Sequence, residues 1–350
     1  MRVSGVNKTR AYRSVLVILF YLIAIFGFAC QQADQADKSQ TQRPDGVSPL
    51  FKPLPALADD PVDNISTTEK IDLGHKLYFE PRLSRSGIIS CNTCHVVGAA
   101  GVDHLEKAMG EGAQTGPRNS PTVYNAAFLQ SQFWDGRAPT LEEQAKGPIQ
   151  AHVEMDLTPD EALQRLKETG YTPLFEKAFP NEKEPLTFDN LAKAIAAFER
   201  TLLTPGSPFD RYLEGDKDAL TEKQISGLNL FQEKGCISCH NGPMLGGNGY
   251  QKFSHAVGSS DVGRSAVTMK EEEKYFFRVA PLRNIALTYP YFHDGSAKTL
   301  KEAVNIMGKS QLNRQFTAEE IAQLVAFLES LTGNFPEVPY PKLPRVVQGG

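Results

Sequence analysis

Four of the five cysteines fall into two copies of one pattern, Cys91-Asn92-Thr93-Cys94-His95 and Cys236-Ile237-Ser238-Cys239-His240. Two thiols with two residues between them, and a histidine beside the second, suit covalent attachment of a c-type haem. The thiols add across the haem vinyl groups as thioethers, and the neighbouring imidazole reaches the iron as an axial ligand. One such motif alone could be a redox-active dithiol or half of a zinc site. Two of them, each ending in histidine, point to two covalently bound haem c groups. Disulfide pairing within each motif would leave His95 and His240 unexplained.

The opposite side of each iron decides function. A methionine there gives a high-potential electron-transfer centre, whereas an open or weakly held position permits peroxide or oxygen chemistry. His75, His104, His152, His255 and His293 are candidates, as are Met109, Met155, Met244, Met269 and Met307. Residue type alone does not choose among them, because methionine more often fills a core than binds a metal.

The elements that must position these motifs are repeated along the chain. Thr68-Glu69-Lys70 is followed by Gly74, Leu77 and Tyr78; Thr221-Glu222-Lys223 is followed by Gly227, Leu230 and Phe231 at the same offsets. Each stretch leads into a Cys-x-x-Cys-His. Downstream, Arg118-Asn119 precedes Trp134-Asp135-Gly136 and Thr140-Leu141, while Arg283-Asn284 precedes His293-Asp294-Gly295 and Thr299-Leu300. Apolar periodicity predicts a closing helix in each half, over 188–202 and 317–331. Capping-box patterns at Ser66…Glu69, Thr158…Glu161, Thr221…Gln224 and Thr317…Glu320 open further helices. Alternating strand patterns are scarce. The expected fold is all-α, with two tandem cytochrome-c-like haem domains and long loops. The domains run over 50–205 and 206–335, joined at the breaker cluster Thr204-Pro205-Gly206-Ser207-Pro208. A proline-rich tail, 336–350, is expected to be extended.

The length of 350 residues suits two domains, and 41% hydrophobic residues suffice for packed cores. Residues 1–29 read as an export signal. Arg2, Lys8, Arg10 and Arg13 precede an apolar run from Val15 to Ala29, too short to span a bilayer. Cys30 directly after it is expected to carry a lipid anchor, and the polar stretch 30–49 reads as a tether. That places the protein in the periplasm, tethered to a membrane. Without the four basic side chains of residues 1–29, 33 Lys+Arg face 41 Asp+Glu, a formal charge of −8. This argues against nucleic acid and fits a basic protein partner steered by charge.

The order of motifs resembles the bacterial di-haem cytochrome c peroxidases over about residues 50–340. The carrying segments are Cys-Asn-Thr-Cys-His (91–95), Gly-Pro-Arg-Asn-Ser-Pro-Thr-Val (116–123), Gln-Phe-Trp-Asp-Gly-Arg (132–137), Gly-Pro-Ile (147–149), Val-Glu-Met (153–155), Leu-Arg-Asn (282–284) and Tyr-Pro-Tyr-Phe-His-Asp-Gly (289–295). The resemblance implies hydrogen peroxide as substrate. Electrons would enter from a small donor, a cytochrome c or a cupredoxin, at the C-terminal haem, and peroxide would be cleaved at the N-terminal haem. It implies Met307 as the second ligand opposite His240, Glu154 as the acid–base residue, and Gln144 as a polar neighbour that positions peroxide or water. Trp134, the only tryptophan, would lie between the haems. Asn119, Thr288 and Pro290 match a calcium site, and His293 a residue near the haem propionates. Members of the family are often dimers, so a homodimer is a further expected partner, although no interface is legible in the sequence.

One departure stands out. Many members carry a removable histidine ligand on the peroxidatic haem, and Glu111 occupies that place here, within Gly110-Glu111-Gly112. The expectation is an open haem, or one loosely capped by Glu111 or water, with His104 as an alternative ligand. A non-enzymatic di-haem carrier and a related oxidase that modifies a partner protein are the competing functions. Those oxidases use tyrosine where this chain has Met307.

Overall fold

The computed structural model describes residues 43–345, of which those from Pro44 onward form one unit. The expected export signal, Cys30, most of the expected tether and the last five residues lie outside the described residues. No described helix is long and apolar enough to cross a membrane.

The chain is mostly helical, and its two halves repeat one helix crossing. In the first half, α1 (Thr68–Tyr78) precedes the one-turn α2 (Cys91–Cys94). After them come α3 (Leu141–Gln150), α4 (Pro159–Glu168), α5 (Thr172–Ala178) and α6 (Phe188–Glu199). In the second half, α7 (Pro208–Leu213) and α8 (Glu222–Glu233) precede α9 (Ser265–Thr268), α10 (Leu300–Leu312) and α11 (Ala318–Glu329). The one sheet among the described residues is a ribbon, β1 (Tyr250–Lys252) antiparallel to β2 (Phe276–Arg278). Helix α1 crosses α6 at Gly74, where any Cβ would overlap the Ala194 carbonyl. Helix α8 crosses α11 at Gly227, where a Cβ would overlap the Gln323 carbonyl. Leu73, Leu77, Leu191 and Ile195 bury one crossing; Leu228, Phe231, Leu324 and Phe327 bury the other.

The capping boxes at Thr158, Thr221 and Thr317 form as expected. The one expected at Ser66 does not. Ser66 donates from its amide and hydroxyl to the Asp60 carboxylate (2.8 and 2.6 Å), so Thr67 caps α1 through the Lys70 amide instead. A charge-assisted bond outcompetes a neutral cap. The closing helices end at Glu199 and Glu329, slightly short of the apolar runs that predicted them.

The repeat also has a different internal register from the one legible in the sequence. Asn125 and Asn284, both buried and both left-handed, each open a 3-10 turn. Left-handed Phe133 and Phe292 follow at the same offset, then Gly136 and Gly295, then the caps Thr140 and Thr299. The partner of Asn284 is therefore Asn125, which lies six residues after Asn119. Asparagine suits this role because it tolerates the left-handed region. Both amides donate to the Thr204 hydroxyl (2.8 Å each), which joins the two halves at the expected breaker cluster.

The ends of the described chain cross over. Phe51 is fully buried in the second core, edge-on to Phe209, and Gly242 donates to the Leu50 carbonyl (2.9 Å). The proline-rich tail runs back over the first lobe. Phe335 meets Tyr124, Tyr340 meets Phe79, and Arg82 donates to the Pro344 carbonyl (3.0 Å).

Candidate functional site

The first motif is a single helical turn. Ser90 donates from its amide to the Thr93 hydroxyl (2.9 Å), and Asn92 caps the following turn by accepting from the Val97 amide (3.1 Å). This turn brings Cys91, Cys94 and His95 together. His95 is held at both ends: its carbonyl accepts from the Tyr78 hydroxyl (2.6 Å), and its Nδ1 lies 2.9 Å from the Pro121 carbonyl. Burial lowers the His95 pKa, so the ring is neutral. A neutral ring facing a carbonyl must donate from Nδ1, which leaves Nε2 as the metal-binding nitrogen.

The second motif repeats this logic. His240 is buried and neutral for the same reason, with Nδ1 3.0 Å from the Leu245 carbonyl. Cys236, Cys239 and His240 wall a cavity of about 450 Å³. Its other walls include Phe231, Phe253, Phe277, Leu324 and Leu328. Among the described methionines, only Met307, on α10, lines it. Met155 is buried in the first core, and Met109 and Met269 are exposed. Apolar walls, two thiols, an imidazole and one thioether form a donor set that fits a haem c.

The same helix position is filled differently in the first lobe. Counted from the caps Thr140 and Thr299, Pro148 on α3 stands where Met307 stands on α10. Proline offers no side-chain ligand. After Pro148 the chain folds back on α3: Met155 donates to the Pro148 carbonyl and Leu157 to Ile149 (3.1 and 2.8 Å). That return carries Glu154, which is half-buried. Burial pushes its carboxyl pKa up, against the pull of Arg137. Its charge is felt by both Cys91 and Cys94, the thiols of the first motif. Gly110 touches the Val153–Glu154 backbone so closely that a Cβ would overlap it, and the Glu111 amide donates to the Glu154 carbonyl (2.9 Å). Gln144 is half-buried on α3.

Glu111 is buried and turned to Ser86, accepting from its amide and hydroxyl (2.9 and 2.7 Å). Burial opposes ionisation there, but the Ser86 hydrogen bonds win and hold the carboxyl below its ordinary range. His104 stacks on Tyr289 at 4.2 Å, with Nδ1 2.9 Å from the Tyr289 carbonyl.

Between the two motifs lies one strip. Pro121, whose carbonyl holds His95, also lines the second cavity, as do Asn119, Trp134 and His293. Trp134 donates from its indole to the Asn119 carbonyl (3.0 Å), and its ring meets His293 edge-on. The Asn119 amide in turn donates to the His293 carbonyl (2.7 Å). Arg118 braces the strip with hydrogen bonds to Asp261 (2.6 and 2.8 Å) and Asp135 (2.6 Å). Asn119, Thr288 and Pro290 all line the cavity, and the Asn119 side-chain NH2 donates to the Leu105 carbonyl (2.8 Å).

Three participants carried no sequence signal. Arg137 sits in a recognisable segment, yet nothing there says that its charge acts on Glu154. Ser86 is one serine among several. Glu199, buried at the end of α6, acts electrostatically on Tyr78 and Cys91, and burial raises its pKa to about 8. Its folded pKa lies above that of the unfolded chain, so the folded state binds the extra proton. Its contribution to stability is therefore full below about pH 4.5 and is lost as pH rises towards 8. Melting temperatures measured across pH 5–8 are expected to fall with pH, and Glu199→Gln to flatten that slope. An unchanged slope would place the titration elsewhere.

A family model described as di-haem cytochrome c peroxidase matches residues 68–218, and one described as cytochrome c matches residues 225–332. The cytochrome c551 peroxidase of Pseudomonas aeruginosa is 48% identical over 339 residues, covering 95% of this chain and 96% of its own. That of Nitrosomonas europaea is 46% identical over 297 residues, covering 82% and 88%. Among solved structures, a MauG-like protein associated with microbial copper homeostasis shares 28% identity at a TM-score of 0.73, over 83% of this chain and 95% of that one.

Proposed function

This chain belongs to the di-haem cytochrome c peroxidase family, a peroxidase with two haem c groups, and from that premise we propose how its two lobes divide the reaction. Hydrogen peroxide, two electrons and two protons give two waters. The bound haems supply iron for electron exchange and for O–O cleavage. On this reading the N-terminal lobe, with His95, holds peroxide, and the C-terminal lobe, with His240 and Met307, takes electrons in. The observation that carries it is the shared helix position filled by Met307 in one lobe and Pro148 in the other. A thioether stabilises the ferrous state and suits electron intake. A proline leaves its side open to substrate.

Glu154 then serves as the acid–base residue. It takes the proton from the inner peroxide oxygen and returns it to the outer one. Its raised pKa brings it closer to neutrality, where an acid–base group is most effective. Gln144 orients peroxide or water beside it. Trp134, packed among second-lobe residues although it comes from the first half of the chain, couples the centres. A calcium ion at Asn119, Thr288 and Pro290 would be held by carbonyl oxygens, which suit a hard cation. The donor is a small redox protein, a cytochrome c or a cupredoxin, steered by the acidic charge of the chain. We further place the enzyme in the periplasm, anchored through Cys30, with a homodimer as its assembly.

Glu111 is engaged by Ser86, and His104 by Tyr289. We therefore propose a first haem that needs no reductive opening. The test is the initial rate of peroxide-dependent oxidation of ferrous cytochrome c, comparing fully oxidised enzyme with enzyme preincubated in mild reductant. Immediate turnover in both is expected. A lag in the oxidised sample alone would restore a gating ligand, with His104 the first suspect. Silence in both, with both haems present and several donors tried, would favour an electron carrier or a protein-modifying oxidase.

A further inference from the structure

Arg278 is a buried cation without an anion. It ends β2, is 3% exposed, and lines the same cavity as His240 and Met307. Its backbone amide donates to the Trp134 carbonyl (2.8 Å), and its Nε lies 3.3 Å from the Phe133 carbonyl. Its Nη1 is buried with no hydrogen-bond partner. Among the described residues it pairs with no carboxylate, unlike the equally buried Arg283, which meets Asp210 at 2.6 Å. An unpaired guanidinium in an apolar wall is strongly unfavourable unless an anion comes to it.

We propose that Arg278 is the anchor for a propionate of the C-terminal haem, binding it through the unpartnered Nη1. A haem brings two carboxylates into this cavity, and a guanidinium suits a carboxylate with paired donors. The contact has two consequences. Positive charge beside the propionate favours the ferrous iron, which raises the potential of this centre. Because β2 also holds the Trp134 backbone, the same residue fixes the haem edge relative to the tryptophan. The inference rests on the presence of the second haem and not on the division of roles between the two.

The test uses the mature holoprotein. A crystal structure of the wild type is expected to place Nη1 within hydrogen-bond distance of a propionate oxygen. A guanidinium that meets only water or protein carbonyls would overturn the proposal. Spectroelectrochemical titration of Arg278→Gln is expected to show a lowered potential for the C-terminal haem, with the N-terminal haem unmoved and two haems per chain retained. Arg278→Lys, which keeps the charge, is expected to retain most of the potential. An Arg278→Gln protein with both haems present and an unshifted C-terminal potential would equally overturn it. Haem loss in Arg278→Gln leaves the wild-type structure and the Lys variant to decide.

Discussion

Glu154→Gln is expected to lower peroxidase turnover by about 10²–10⁴-fold, the contribution of a positioned general acid–base. Glutamine keeps the shape and the hydrogen-bonding reach of the side chain but cannot carry the proton. Both haems should remain attached, and the C-terminal haem should keep its spectrum, because Glu154 sits on the first-lobe return after Pro148. Gly110→Ala provides an independent approach to the same atom. The new methyl group would collide with the Val153–Glu154 backbone and push the carboxylate aside. A displacement of about 1 Å can cost on the order of 10²-fold in rate. Stopped-flow turnover with a ferrous cytochrome donor reads both variants. If Glu154→Gln stayed within a few-fold of wild type, the proton path would have to run through another group.

Gly74→Ala and Gly227→Ala should each destabilise the fold, and by similar amounts. At both positions the added carbon meets a backbone carbonyl, which cannot rotate away as a side chain could. Overpacking of this kind costs about 3 kcal/mol at the upper end of its usual range. Alanine recovers about 1 kcal/mol through its better helix propensity. The net loss is thus about 2 kcal/mol for either variant, readable as a lower melting temperature of the holoprotein. Stability equal to wild type in both would mean that the two helix pairs do not cross at these glycines. A loss in one alone would mean that the repeat does not extend to this contact.

What was legible in advance was local in the chain. The two attachment motifs are contiguous because two thioethers and one ligand must come from a single turn: α2 in the first and a 3-10 turn, Cys236–Ser238, in the second. The paired helices were legible because their apolar residues recur with helical spacing and Gly74 and Gly227 stand at matching offsets. Three of four capping boxes formed for the same local reason, and the fourth failed because Ser66 is drawn to Asp60. The tertiary structure decided the contacts between distant segments. It set Met307 on the wall of the His240 cavity and Pro148 at the matching place in the other lobe. It turned Glu111 to Ser86, buried Arg278 without an anion, and paired Asn125 rather than Asn119 with Asn284. Each of these depends on chain reversals and close backbone approaches that bring together residues far apart in sequence. Residue type states what a side chain can do; only the surrounding chain determines which partner it meets.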